Sequence, residues 1–148
     1  LYDEIQSSIS RHGLKKDNIC LEVTETSAMN ENSIQILKRL NNEGIHISID
    51  DFGTGFSSLS YMHLLPVNQI KIDRSFVPGP GSVKASGKFL ASIVALVKSM
   101  GYNVCVEGVE TKDQLELIRT LQVDCLQGYY FGKPMPAAVF IEEFNPTT

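Results

Sequence analysis

The stretch "IHISIDDFGTG", residues 45–55, opens on strict alternation: Ile45, Ile47 and Ile49 stand against His46, Ser48 and Asp50. That is the period of a strand with one apolar face. It then sets two acids side by side, Asp50 and Asp51, ahead of Gly53 and Gly55. On an unbroken strand the two carboxylates would point to opposite faces. Both reach one place only if the chain turns at Asp-Asp-Phe-Gly, and the glycines permit such a turn.

The same period recurs on either side. "NICLEVTE" (18–25), "VNQIKID" (67–73), "YNVCVEG" (102–108) and the short "VDCLQG" (123–128) read as further strands. Between them lie segments of helical period. "LYDEIQSSISRHG" is closed by Gly13, and "NENSIQILKRLNNEG" places Ile34, Leu37 and Leu40 on one side with Gly44 at its end. "SSLSYMHLL" (57–65) is a short helix and "SGKFLASIVALVKSMG" a long one, while "TKDQLELIRTL" opens on a capping box from Thr111 to Gln114. "AAVFIEEF" is the last helix. Regular alternation of strand and helix predicts an α/β fold with parallel strands joined by right-handed crossovers. The least regular stretch, "PGPGSVKASG" (78–87), reads as a mobile loop.

Strand parity carries the functional inference. Leu21 and Val23 oppose Cys20, Glu22 and Thr24; Ile70 and Ile72 oppose Lys71 and Asp73; Val104 and Val106 oppose Asn103, Cys105 and Glu107. One face is aliphatic in every strand, and the other ends in an ionisable residue: Glu22, Asp50, Lys71 or Glu107. A strand buried in an α/β protein is ordinarily apolar on both faces, so four charges at matching positions need a reason. Parallel strands gather their C-terminal ends at one edge, where α/β folds place their sites. A lone Asp-Asp before glycines is ordinarily a turn, and Lys71 alone would read as a cation that neutralises its neighbours in a structural ion pair. Recurrence across four strands points instead to a carboxylate pocket that a divalent cation would relieve. Oxygen-rich donors suit magnesium or manganese, and a pair of ions is a device for in-line displacement at phosphorus.

Composition sets the remaining bounds. The chain has 148 residues, 43% hydrophobic and 20% charged, enough for one sizeable core. A net charge of -4 offers no basic footprint for a DNA or RNA polymer. Cys20, Cys105 and Cys125 are odd in number and lack metal-ligand spacing, which argues against a disulfide framework or a zinc site and fits a reducing, cytoplasmic setting. The apolar run "FLASIVALV" (89–97) is too short to cross a bilayer.

"LEVTE", "DDFGTGFSSL", "LPVNQIKIDRSFV", "VEGVET" and "VDCLQGYYFGKPMP" follow one another in this order. Together they resemble the successive motifs of the EAL-domain family, bacterial phosphodiesterases that open cyclic di-GMP to linear pGpG. The resemblance covers essentially the whole chain and implies a (β/α)8 TIM-barrel-like fold, here about the last five β/α units. It implies two metal ions, Mg2+ or Mn2+. Glu22 and Asp50 would hold one ion, with Asp50 shared and Asp51 joining the second. Glu107 would be a second-ion ligand or base, and Lys71 would position the water. Glu110 matches the glutamate that anchors the "DFGTG" loop, and Gln127 a polar residue lining the site.

Departures from the family pattern bear on the domain. The Glu-Ala-Leu tripeptide occurs nowhere in the 148 residues, and the family's metal-binding asparagine has no counterpart. Residues 1–148 are therefore expected to be the C-terminal part of a single EAL domain. Phe56, Val106 and Val123 replace the usual tyrosine, alanine and cysteine conservatively. By family habit a homodimer, attached signalling domains and a membrane anchor in the parent protein are further expectations. Two readings stand: the C-terminal portion of an active phosphodiesterase, or a non-catalytic EAL module that binds cyclic di-GMP or pairs with another chain. The retained acids and Lys71 favour the first.

Overall fold

The computed structural model describes residues 2–54, 62–79 and 83–144. In chain order they form helix α1 (Tyr2–His12), strand β1 (Cys20–Thr24), a single-turn helix α2 (Glu25–Ala28), α3 (Glu31–Asn42), β2 (His46–Phe52), β3 (Gln69–Ile72), α4 (Val83–Ser99), β4 (Asn103–Val106), α5 (Lys112–Arg119), β5 (Cys125–Leu126) and α6 (Ala137–Phe144). Short 3-10 turns occupy Lys16–Asn18 and Arg74–Phe76. The five strands pair in the order β1-β2-β3-β4-β5, and every pairing is parallel.

Sequential order combined with right-handed crossovers brings successive helices to one side of the sheet, the arrangement of a barrel wall. The aliphatic parity faces that side. Ile47, Ile49, Ile70, Ile72, Val104 and Val106 are at most 1% exposed, and Leu37, Leu40, Leu90, Val94, Val97 and Ile118 join them in one core. Burying each such side chain contributes about 1.5–3 kcal/mol against the chain's lost conformational freedom. Leu37 and Leu40 are the buried members of the stripe foreseen on α3, with Ile34 packed at its margin.

Local signals set the helix ends. The Asn30 side chain accepts from the Asn32 amide at 2.9 Å and caps α3. The capping box on α5 forms: Thr111 Oγ1 accepts from the Gln114 amide, and Gln114 Oε1 accepts from the Thr111 amide. Such caps contribute about 1 kcal/mol each.

The structure departs from the sequence reading in three places. The glycine- and proline-rich stretch at 78–87 is shorter than expected, because α4 is already helical from Val83. β5 is only two residues long, and the turn of helix after β1 had no periodic signal to announce it. The short helix expected over 57–65 falls largely on residues outside those described.

Candidate metal centre

The site grows from an irregularity in β2. Ile49 pairs with Ile70 and Phe52 with Ile72, so Asp50 and Asp51 together stand opposite the single residue Lys71. This is a β-bulge: the extra residue re-aims a side chain that regular pleating would send to the other face. The backbone turns at Asp51 itself, whose φ is 53°, in the left-handed region that aspartate tolerates better than most residues. Thr54 closes the turn, donating to the Asp51 carbonyl from both its amide (3.2 Å) and its hydroxyl (2.9 Å). Gly53 follows at φ 90°, and a Cβ there would lie 2.6 Å from Phe76 Cζ. The turn anticipated from the acid pair is thus present, and it begins at Asp51, two residues before Gly53.

Lys71 lies at the centre, only 4% exposed. Its Nζ contacts Glu22 Oε1 at 2.9 Å, Asp50 Oδ1 at 2.9 Å and Glu107 Oε1 at 2.7 Å. Burial pulls the ammonium pKa down, but the hydrogen bonds to Glu107, Asp50 and Glu22 outweigh it, and the pKa ends above that of an ordinary lysine. Lys71 is therefore a fixed cation and hydrogen-bond donor. One lysine facing Glu22, Asp50, Asp51 and Glu107 leaves acid in formal excess.

Among the described residues, Asp50, Asp51 and Glu107 each bring a carboxylate oxygen to within 4.8 Å of the others. This all-carboxylate set of hard donors fits a magnesium- or manganese-type ion. Glu22 joins the group through Lys71, with its side chain 47% exposed against 16% for Glu107.

A cavity of about 290 Å³ opens beside these acids, lined by Asp51, Asp73, Glu107, Glu110, Gln127 and Tyr129 together with Arg74 and two glycines. Glu107 prolongs β4 beside β3, its amide donating to the Ile72 carbonyl at 3.1 Å. Gly108 then turns at φ 71°, where a Cβ would lie 2.2 Å from Arg74 Cβ. Glu110 is exposed, and its amide donates to Gln114 Oε1 at 2.8 Å. Gln127 is held by its backbone, which donates to Val106 and accepts from Val109.

All seven residues singled out from sequence therefore cluster at one edge of the sheet. Asp73, Arg74 and Tyr129 were missed. Asp73 shares the parity of Lys71 and was legible on that ground; Arg74 and Tyr129 lie beyond the strand ends, where parity carries no information. Burial pushes the Asp73 carboxyl up, but hydrogen bonds from Ser75 and the charge of Arg74 bring it below its ordinary value. Next to the site, burial and then the adjacent Cys125 thiol push the Cys105 thiol up.

A parallel β/α sheet with acids gathered around one lysine at its carboxyl edge defines the class, and residues 1–134 match the EAL domain family model. The chain belongs to the EAL domain family. It is 41% identical over 139 residues to the bifunctional diguanylate cyclase/cyclic di-GMP phosphodiesterase MucR of Pseudomonas aeruginosa, covering 93% of this chain and 20% of that protein. Among solved structures it matches the c-di-GMP complex of the PaMucR phosphodiesterase at 40% identity and a TM-score of 0.83, over 95% of this chain and 63% of that one. It also matches the manganese and cyclic di-GMP complex of BlrP1 from Klebsiella pneumoniae at 30% identity and a TM-score of 0.78, over 89% and 34% of the two chains. The chain thus spans only part of each relative. No helix among its described residues is long and apolar enough to cross a membrane.

Proposed function

We propose that this chain supplies the C-terminal part of a metal-dependent phosphodiesterase domain that hydrolyses cyclic di-GMP to linear pGpG. The observation that carries this reading is the convergence of Asp50, Asp51 and Glu107 within 4.8 Å, on the edge of the sheet where Lys71 collects Glu22, Asp50 and Glu107. Membership of the EAL family and the cyclic di-GMP complexes of its relatives support the choice of substrate.

In this reading Glu22 and Asp50 would hold one divalent cation, magnesium or manganese, and Asp50 and Asp51 would hold a second, with Glu107 as a further ligand of the second or as a base. Bound cations of this kind lower the pKa of an attacking water and neutralise phosphate charge. The chain's own residues do the rest. Lys71 directs its three N–H donors at Glu22, Asp50 and Glu107 and so fixes the orientation of three carboxylates; a cation that took over one of these acids would free a donor for a water or phosphoryl oxygen. The bulge at Asp51 delivers a second acid to the same face. Glu110 steadies the loop after β2, and Gln127 offers a polar contact at the rim of the cavity. Residues 1–148 are read as one part of a single domain, with further strands, signalling domains and a dimer partner belonging to the parent protein.

The test is incubation of cyclic di-GMP with the chain and magnesium or manganese, with a chelator control and chromatographic separation of nucleotides. Metal-dependent pGpG is the expected product, from this chain or from one extended upstream to a complete EAL domain. Binding of cyclic di-GMP without turnover by the complete domain would replace this reading with that of a sensor module.

A further inference from the structure

β4 and β5 set two thiols side by side. Cys105 and Cys125 are register partners on adjacent parallel strands. Their side chains therefore leave the same face of the sheet, the face that carries Lys71, which is the register partner of Cys105 on β3. Neighbouring strands run about 4.8 Å apart, inside the range of about 4.4–6.8 Å that a disulfide requires between Cα atoms. Both cysteines are free; Cys105 is buried and Cys125 exposed, so one thiol meets solvent while the other waits beside it. Cys20 lies on β1 and has His46, not a thiol, as its register partner.

We propose that Cys105 and Cys125 form a redox pair that closes to a cross-strand disulfide on reaction with a low-molecular-weight disulfide such as oxidised glutathione. Exchange starts at the exposed residue. The Cys125 thiolate attacks one sulfur of the small disulfide, forming a mixed disulfide and releasing one small thiol, which takes up a proton. The Cys105 thiolate then attacks the Cys125 sulfur and expels the second small thiol, likewise protonated. The protein pair loses two electrons, and the small disulfide gains them. Excess dithiol reverses both steps. The bond ties β4 to β5 directly beneath Glu107 and Gln127, each of which follows two residues after its cysteine. This inference is independent of the hydrolytic reading.

The test treats the folded chain with oxidised glutathione in the presence of a chelator, alkylates the remaining thiols, and reads intact mass and non-reduced peptide maps. Of the three cysteines, only Cys20 should stay outside the cross-link, as a free thiol or as its own glutathione adduct, with a Cys105–Cys125 cross-linked peptide present and all three thiols restored by dithiothreitol. Cys105→Ser should stop the reaction at a glutathione adduct on Cys125. If that variant does not fold, Cys125→Ser should instead leave Cys105 alkylatable and the cross-link absent. A stable adduct on Cys125 with Cys105 still free in the wild-type chain would overturn the proposal. So would three unreacted thiols, a cross-link that includes Cys20, or equally fast Cys105–Cys125 cross-linking in urea.

Discussion

Two polar hubs in this chain are mirror images in charge. At the first, a single acid collects donors: Glu43 accepts from the Tyr2 hydroxyl, from Gln6 Nε2 at 2.6 Å and from Lys16 Nζ at 2.8 Å, with Arg39 Nε at 3.6 Å. The Arg39 guanidinium also lies 3.7 Å above the Tyr2 ring, tying α1 to the end of α3. At the second, a single cation collects acids: Lys71 meets Glu22, Asp50 and Glu107, and Asp51 stands within reach of the last two. In the first hub the acid is outnumbered, with one carboxylate facing two cations, Lys16 and Arg39, and two further donors, Tyr2 and Gln6. The second has acceptors in excess, and that excess is what a cation would satisfy. The stoichiometry of charge therefore separates a structural hub from a candidate site where burial alone would not.

The largest expected effect comes from reducing the acid excess. Asp50→Asn should abolish metal-dependent hydrolysis in a complete EAL domain and weaken Mn2+ binding to this chain by about tenfold or more. Metal-free urea stability should be unchanged or higher, since the variant removes one repelling charge and little volume. Near-normal turnover in the complete domain would sink the two-ion assignment.

Removing the cation is next. Lys71→Met leaves three acids without their counter-ion and should cost about 3 kcal/mol in metal-free urea unfolding, the low end for breaking a buried pair. Added Mn2+ should recover part of that loss. An undiminished midpoint would mean that the acids do not depend on Lys71.

Gly53→Val tests the turn that brings Asp51 across. The new side chain would meet the Phe76 ring at a left-handed backbone position, at a cost of about 1–3 kcal/mol in stability. Impaired hydrolysis by a complete domain carrying it should follow from the displaced loop; full activity there would refute the role of this loop.

The smallest effects separate the hubs by pH. Lys71 titrates above its ordinary value when folded, so its contribution is fully present below the unfolded pKa of about 10.4 and is lost as pH rises through the folded value. Glu43 is lowered, first by its hydrogen bond with Lys16 and then by that with Tyr2. Its contribution is present above the unfolded value of about 4.3 and is lost as pH falls through the folded one. Glu43→Gln should therefore flatten the acid limb of a stability-against-pH curve, and Lys71→Met the alkaline limb. An acid limb unchanged by Glu43→Gln, or an alkaline limb unchanged by Lys71→Met, would contradict the assignment.

Much of the site was legible before any coordinates. Side chains alternate on a strand, so Glu22, Asp50, Lys71 and Glu107 could be placed on one face by counting, and parallel pairing brings their strand ends together. Asp73 follows by the same rule. Arg74 and Tyr129 did not, because past the last ladder hydrogen bond the chain direction depends on contacts such as Arg74 against Gly108. The hub at Glu43 was equally silent: Tyr2, Gln6, Lys16 and Arg39 come from three separate segments, and no period relates them.

The sequence by itself determined the α/β class, the aliphatic face of each strand and the EAL family motifs, because local periods and spacings encode those directly. Only the tertiary structure decided that β2 bulges at Asp50 and Asp51 opposite Lys71, that one ammonium reaches three carboxylates, and that Cys105 lies against Cys125. Register between strands far apart in sequence is set by the packing of the whole sheet, and no single strand carries it.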